Sequence, residues 1–522
     1  MLEFFQTGLL FLTASVVWTF VRLAKGISYP GDVPRFGEPG IFGYLKTAIR
    51  YTFDAETVIS EGREKYSGKP FAVPTLSGPV FLLGPGYYEI IRSSTDDNFN
   101  QPLAVSEDLQ LSYTMDPEQI KYPYHVTLLT TTVNRAIPSF IPEILDESTR
   151  AITETLGLMG PDGPESVSLP LFETMTHLVA RINNRVIFGT ELCRNEDFIH
   201  AIVRFAETTP LIATLVTWCP NIIRRPIYVA LSSLLGGKRD VLKFIVPFLT
   251  KYMKERKKET LEVEAPIIMD FFIEGAPPHE TVEGLAMHLI NINFGSIHTS
   301  SIFTTQTLFE MVSLPRKDLA AIREEIIVAL ESEGGWTKGA LLKFRKLDSA
   351  LREIGRFHGL MQFGLPRYAL RGLNLPDDSK IPPGHRVALD MKAFHFDPDV
   401  YPDPHRCDLF RFSKLRESEE TDTKYGFSTV DAHYLPFSGG RHACPGRFFA
   451  AMELKITLAH LLLNYDFALP PGVTQRPANT TFNGAIIPDP KAQMVFSRRK
   501  DAPPLTSQFM PYSTNEIPAQ GK

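Results

Sequence analysis

The sequence is poor in cysteine and has no long run of basic residues. Only four of its 522 residues are cysteine, and no two have the spacing of a zinc pair or a disulfide framework: Cys193, Cys219, Cys407 and Cys444. Lysine and arginine number 54 against 59 acidic residues, which gives a net charge of −5. These absences exclude a disulfide-built secreted domain and argue against a nucleic-acid partner. We therefore expect free thiols in a reducing compartment.

An apolar run is present at the N-terminus. From Phe4 to Val21 it carries no charge and approaches the length of a membrane-spanning helix. Basic residues follow the run and only Glu3 precedes it, so the positive-inside rule places the rest of the chain in the cytosol. A cleaved signal peptide is the alternative, but neither a basic leader nor a clear cleavage site supports it.

Composition and spacing divide the chain into four parts. We predict a membrane anchor over residues 1–25 and a hinge rich in proline and glycine over 26–40. Residues 41–500 contain no repeats or long low-complexity tract and read as one large domain, and 501–522 read as a disordered tail.

Helical periodicity dominates the large domain. Strand-like sequence is confined to residues 69–85 and 368–391, where apolar residues alternate around glycine and proline. Residues 315–335 are typical of the rest, because four apolar side chains fall on one helix face before a glycine pair: Leu319, Ile322, Ile326 and Leu330. We predict a mostly α protein with a small β part.

One cysteine lies in a loop rich in glycine and arginine, "FSGGRHACPGRFFA", residues 437–450. A metal-binding thiolate needs a tight backbone turn and nearby hydrogen-bond donors or positive charge. Gly440 permits such a turn, Gly446 allows a flat partner to approach closely, and Phe437 could shield the sulfur of Cys444. A buried, inert thiol beside a turn explains the same residues.

The whole string resembles the haem-ligand signature FxxGxRxCxG of the cytochrome P450 family. Phe437, Gly440, Cys444 and Gly446 occupy matching positions, whereas His442 stands where the family usually has arginine. The resemblance implies that Cys444 is the axial ligand of the iron of haem b (iron protoporphyrin IX), and that His442 faces a haem propionate. It also implies the P450 fold, with residues 41–500 as the haem-thiolate catalytic domain.

A second motif lies upstream of the cysteine loop. Glu353 and Arg356 are three residues apart in a segment of helical period, where an ion pair forms readily. An ordinary surface pair is the alternative reading. The pair matches the ExxR element of the P450 family, and Arg411 stands where that family has a third partner. The resemblance implies a buried structural network of these three charges.

A third motif, "INFGSIHTSS", lies in a long helical stretch that begins near Thr281. It resembles the oxygen-binding segment A/G-G-x-D/E-T, with Gly295 and Thr299 matching, Ser296 in place of glycine and His298 in place of the acid. The resemblance implies that Thr299 organises proton delivery to dioxygen. His298 could relay protons or could bond the backbone or substrate, and Thr299 could bond its own helical turn.

Two further positions are candidates for the haem propionates. Arg367 matches an arginine that follows the ExxR helix in the family, with Arg371 as its rival in the same stretch. His125 fits the histidine of a family motif W/H-xxx-R, but Leu129 occupies the arginine position. A histidine satisfied by a neighbour is the alternative for His125.

The resemblance implies a substrate site where five segments converge over the haem: residues 100–113, 207–220, one face of the central helix, 361–365 and 482–487. These segments are mostly apolar, which favours a lipophilic substrate. The predicted substrate contacts are Asn291, Phe294, Phe363 and Phe482. The motif variants resemble fungal P450 enzymes that oxidise terpenoids and other secondary metabolites.

The resemblance also implies a reaction and its partners. We expect a monooxygenase of the endoplasmic reticulum membrane that uses O₂ and takes electrons from an NADPH-dependent flavoprotein reductase. Arg441, Arg447 and Lys455 could form the docking patch for that reductase, or could be solvated surface residues. A reductase-independent haem-thiolate isomerase or dehydratase and a haem-less, membrane-tethered ligand carrier are the alternative functions.

Overall fold

The computed structural model describes residues 32–158, 164–257, 266–376, 378–416 and 422–502. The predicted membrane anchor, the first part of the hinge and residues 503–522 of the predicted tail lie outside these ranges.

Helices form most of the described chain. The longer ones are α1 (Gly40–Phe53), α2 (Ala55–Lys65), α3 (Gln101–Leu109), α4 (Ile141–Leu156), α5 (Leu171–Phe188), α6 (Glu196–Thr217), α7 (Asn221–Leu235), α8 (Lys238–Lys257), α9 (Ile268–Gly275), α10 (Val282–Met311), α11 (Arg316–Glu333), α12 (Arg345–Phe357) and α13 (Arg447–Asn464). Shorter helices span Tyr88–Ser93, Leu111–Thr114, Pro117–Lys121, Tyr124–Leu128, Asn134–Ala136, Thr190–Cys193, Lys338–Lys343 and Met391–His395.

The central helix is α10. It begins where the Thr281 hydroxyl accepts a hydrogen bond from the backbone N–H of Gly284, as an N-cap residue does. It then packs against α5, α6, α8, α12 and α13. Because partners surround it, most of its side chains are buried and it has no single apolar face. This helix therefore carries residues into the middle of the protein.

Small sheets accompany the helices. The largest has the order β1 (Phe71–Val73), β2 (Val80–Leu83), β8 (His385–Asp390), β5 (Phe363–Ala369) and β3 (Phe99–Asn100). Only its β2–β8 pair is parallel, and the β5–β8 register shifts between Gly364 and Arg367. The others are a sheet of β4 (Ser166–Pro170), β12 (Gln493–Arg498) and β9 (Tyr465–Ala468), and two pairs: β6 (Leu373–Asn374) with β7 (Lys380–Ile381), and β10 (Thr480–Phe482) with β11 (Ala485–Ile487).

The predicted fold class is confirmed, but the expectation of strands in only two regions is wrong. The hairpin within residues 69–85 is present as β1 and β2, and β6 to β8 lie within 368–391. In contrast, β4 pairs with β12 across more than 300 residues. Such strands are short, and their partners are remote, so local alternation does not reveal them.

Among the described helices, α6 is long and apolar enough to cross a membrane. Half of its apolar window is buried inside the protein, which is also typical of a core helix.

Candidate active site

The cysteine loop ends at the start of α13. Gly440 adopts a φ of +65°, a conformation that L-residues with a side chain rarely adopt, and it lies against the backbone of Arg92. The turn brings the backbone N–H of Cys444 to 2.9 Å from the carbonyl oxygen of Phe437. The loop thereby holds the cysteine in a fixed position beside the buried Phe437 ring.

The surroundings of the Cys444 sulfur affect the pKa of its thiol in opposite directions. Burial raises the pKa of its thiol, while the backbone N–H groups of Gly446 and Arg447 and the charge of Arg447 act in the opposite direction. Arg447 also donates a hydrogen bond to the carbonyl oxygen of Cys444, at 2.8 Å. These groups favour a negatively charged sulfur once a cation is close to it.

Cys444 and the central helix line the same cavity, of about 450 Å³, which we call the cysteine cavity. Its lining from α10 includes Gly295, Ser296 and Thr299. The hydroxyl of Thr299 donates to the carbonyl oxygen of Gly295 at 2.9 Å, so it bonds its own helical turn while it lines the cavity. A thiol and a hydroxyl thus line the same cavity.

The three charges of the second motif are in contact. Arg356 donates two hydrogen bonds to Glu353, both at 2.8 Å, and the Arg411 Nε lies 3.2 Å from each carboxylate oxygen. Glu353 and Arg356 are fully buried. Arg356 also donates to the carbonyl oxygens of His395 and Pro404. The network therefore ties α12 to the segment that leads into the cysteine loop.

Two of the residues predicted to contact the haem propionates lie near the carboxylate of Asp96. The His442 Nε2 lies 2.8 Å from the Oδ1 of Asp96, and Asp96 also acts electrostatically on buried Arg367. Burial lowers the pKa of Arg367 to about 10, which leaves it charged at neutral pH. His442 lines the cysteine cavity and Arg371 is exposed.

His125 lines the cysteine cavity and is hydrogen-bonded on both sides. Its Nδ1 is 3.0 Å from the Nδ1 of His288, and its Nε2 accepts from Asn291 at 3.3 Å. Burial lowers its pKa to about 4, so it is neutral at pH 7. Its part in holding a cofactor stays a prediction.

A second cavity, of about 600 Å³, lies on another face of α10, and we call it the apolar cavity. Residues from all five segments expected to converge line it, including Leu109, Pro210, His298, Phe363 and Phe482. His298 does not line the cysteine cavity, although it is next to Thr299, because successive helix residues point about 100° apart. Asn291 lines the cysteine cavity instead, and Phe294 packs near Phe205.

Sequence reasoning missed several polar residues near the site. Buried Glu453 bonds to Ser300, and Asp96 pairs with His442. No motif marks them, because each meets its partner only in the fold. Lys455 is a correction: it is buried and paired with Asp348, so its predicted place in a docking patch is wrong.

Comparison with known proteins agrees with this architecture. The family model for cytochrome P450 matches residues 125–496, well over half of the chain. Cytochrome P450 monooxygenase 103 of Postia placenta is 31% identical over 464 residues, which cover 87% of this chain and 91% of that protein. The ent-kaurene oxidase P450-4 of Gibberella fujikuroi is 26% identical over 458 residues, covering 86% and 89%.

The fold and the matched domain define an oxidoreductase of the monooxygenase class. The chain belongs to the cytochrome P450 family. Members of this family use O₂ and a haem iron held by a cysteine thiolate.

Proposed function

We propose that this protein hydroxylates a lipophilic, terpenoid-like small molecule with O₂ and electrons from an NADPH–cytochrome P450 reductase. In this reaction a C–H bond of the substrate becomes C–OH, the second oxygen atom leaves as water, and NADPH supplies the two electrons. The observation that carries the proposal is the cysteine cavity, which both Cys444 and Thr299 line.

The residues present fit haem b. Cys444 is a free thiol with backbone N–H groups directed at its sulfur, as a thiolate ligand requires. A Cβ added at Gly446 would meet nothing within 4 Å, so the cavity wall is open beside the cysteine. Arg367 offers positive charge for one propionate, and the ring nitrogen of His442 that now contacts Asp96 offers a hydrogen bond for the other.

Bound haem would supply the redox chemistry that activates O₂ for insertion into a C–H bond. The chain supplies binding and proton control. Thr299 can pass or hold a proton through its hydroxyl while its own hydrogen bond to Gly295 fixes the rotamer. The apolar cavity would hold the substrate by burying its hydrocarbon surface, and Phe363 and Phe482 are among its walls.

The terpenoid class rests on two supports. The relatives include an ent-kaurene oxidase, and the lining of the apolar cavity is mostly hydrocarbon. The membrane anchor over residues 1–25, the endoplasmic reticulum location and cytosolic orientation of residues 41–500 remain part of this proposal, supported by the apolar run and its flanking charges.

Carbon monoxide difference spectroscopy of the reduced full-length protein tests the haem-thiolate site. We expect the thiolate-type Soret band in the wild type and in Cys219→Ala, and its loss in Cys444→Ala. A Cys444→Ala protein with an unchanged band would overturn the assignment of the ligand.

Turnover with a fungal reductase, NADPH and ¹⁸O₂ tests the reaction. A terpenoid product that contains one ¹⁸O atom is expected only with NADPH and reductase. Rearranged product without NADPH would favour the isomerase or dehydratase, and ligand binding without haem would favour the carrier.

A further inference from the structure

Three metal-ligating side chains meet where α5 and α6 lie side by side. Glu196 and His200 are one turn apart on α6 and exposed, and His177 on α5 is partly exposed. One ligand atom of each residue lies within 4.8 Å of the other two. The His177 Nε2 is 2.9 Å from the Oε2 of Glu196, and the two histidine ring centroids are 6.2 Å apart. We call these three residues the α5–α6 cluster.

The spacing of the α5–α6 cluster is close to that of a tetrahedral metal site. Zn²⁺ binds histidine nitrogen and carboxylate oxygen at about 2.1 Å, so two ligand atoms of one tetrahedron lie about 3.4 Å apart. Separations of up to 4.8 Å therefore close with shifts of about 1 Å, which exposed side chains make by changing rotamer. Glu196 and His200 project from one helix face because they are four residues apart, and His177 approaches from the neighbouring helix.

Neighbouring arginines are engaged away from the α5–α6 cluster. Arg181, one turn further along α5, pairs with two other carboxylates. Arg204, one turn further along α6, donates to the carbonyl oxygen of Leu235 at 2.6 Å. In the part of the chain that the structure describes, the ion-pair partner of Glu196 is His177, which is charged only when protonated. An added cation would therefore meet a carboxylate and two imidazoles without displacing a guanidinium or ammonium group.

Another group of possible ligands differs on this point: Glu310, His358 and Cys407. Its carboxylate already holds a cation, since the Nε of Arg476 lies 2.9 Å from the Oε1 of Glu310. A metal ion would have to displace that guanidinium, which would then lie largely buried without its carboxylate. The α5–α6 cluster is therefore the better candidate for a metal site.

We propose that the α5–α6 cluster binds a divalent transition-metal ion such as Zn²⁺, with His177, Glu196 and His200 as ligands and water in the fourth position. Two imidazoles and a carboxylate suit Zn²⁺, whereas Mg²⁺ prefers oxygen ligands alone. The ion joins α5 to the first turn of α6, the helix that lines the apolar cavity further along. The site needs neither haem nor turnover, so it stands apart from the proposed function.

Equilibrium dialysis of the haem-bound, full-length protein without an affinity tag against Zn²⁺ tests the proposal. We expect saturable binding by the wild type in the presence of excess Mg²⁺, and an affinity about tenfold or more lower in His200→Ala and in Glu196→Gln. His279→Ala is the matched control, because it removes an exposed histidine outside the cluster and should bind Zn²⁺ as the wild type does. Equal Zn²⁺ affinity in the wild type and His200→Ala, or no saturable binding by the wild type, would overturn the proposal.

X-ray absorption at the zinc edge identifies the ligands directly. In the wild type we expect nitrogen and oxygen neighbours at about 2.0–2.2 Å, whereas a sulfur neighbour at about 2.3 Å would place the ion at a cysteine and overturn the assignment. Binding to the folded protein also stabilises it, so Zn²⁺ should raise the unfolding midpoint of the wild type and His279→Ala more than that of His200→Ala. An equal shift in all three proteins would contradict a bridge between α5 and α6.

Discussion

The carboxyl group of Glu453 on α13 meets the hydroxyl of Ser300 on α10, with 2.9 Å between the oxygen atoms. Both side chains are buried, and the Oε1 of Glu453 has no hydrogen-bond partner among the described residues. Burial raises the pKa of Glu453 to about 8, and the bond from Ser300 opposes that rise. An acid that is neutral at pH 7 therefore lies behind the helix that carries Thr299.

The Glu453 pair predicts a pH dependence of stability. Between about pH 5 and pH 8 the folded protein holds a proton that the unfolded chain has released, so this group lowers stability as the pH rises through that window. The contribution is about 1.4 kcal/mol per pH unit at most. Glu453→Gln should flatten the decline, as measured by denaturant unfolding at a series of pH values.

Ser300→Ala is the companion variant for that series. It removes a hydrogen bond that favours the charged carboxylate, so the upper end of the window should move to higher pH. Identical pH profiles for Glu453→Gln and the wild type would show that the carboxyl group titrates normally in the folded protein.

The charge network predicts strong dependence on Glu353. Glu353→Ala leaves Arg356 buried without its carboxylate, which costs about 3–5 kcal/mol in comparable buried pairs. We expect a lower unfolding midpoint and loss of bound haem, measured as the ratio of Soret to protein absorbance.

Lys243→Ala is the control for Glu353, since it breaks an exposed pair with Asp240 and should cost about 1 kcal/mol or less. Full haem content and stability in Glu353→Ala would contradict a structural role for the network.

Two glycines of the cysteine loop should respond differently to alanine. At Gly440 a Cβ would lie 2.8 Å from the carbonyl oxygen of Arg92 and the φ of +65° is unfavourable, so Gly440→Ala should destabilise the fold by about 1–2 kcal/mol or more. At Gly446 the Cβ would meet no protein atom, and the φ of −84° is ordinary.

Gly446→Ala should therefore keep the unfolding midpoint of the haem-free protein and weaken haem binding, because the added methyl group projects where the cofactor would approach. Haem titration alongside thermal unfolding separates the two effects. Equal haem affinity in Gly446→Ala and the wild type would place the cofactor away from this residue.

The hydroxyl of Thr299 is expected to control the efficiency of oxygen use. Thr299→Ala removes the group that can hold a proton in the cysteine cavity, so the product formed per NADPH consumed should fall about tenfold or more. Thr299→Ser keeps the hydroxyl and should retain most of the yield. Substrate affinity should change little in either variant, since Thr299 does not line the apolar cavity. Equal product yields per NADPH in the alanine and serine variants would show that the Thr299 hydroxyl plays no part in the reaction.

Local patterns predicted the helices better than the sheets. The helical stretch predicted to begin near Thr281 and the apolar spacing of residues 315–335 depend on a few turns of chain, and α10 and α11 form as they indicate. Pairing of β12 with β4 and β9 depends on chain segments brought together by the helices, which no local spacing encodes.

Motifs also predicted part of the site, but they did not predict which residues line the cysteine cavity and which line the apolar cavity. They predicted roles for Cys444, Thr299 and the Glu353 network, because these residues match family motifs in type and spacing. The assignment of His298 and Thr299 to separate cavities depends on the rotation of α10, and the pairing of Glu453 with Ser300 depends on the packing of α10 against α13. Those relationships arise only from tertiary packing.

The angular placement of residues on α10 constrains how this chain can change. Loss or gain of one residue between Thr281 and Gly295 would rotate everything beyond it by about 100° and move Thr299 out of the cysteine cavity. A point substitution leaves that rotation intact. Divergence toward new substrates should therefore preserve the length of this segment, and insertions should accumulate in the connections between helices.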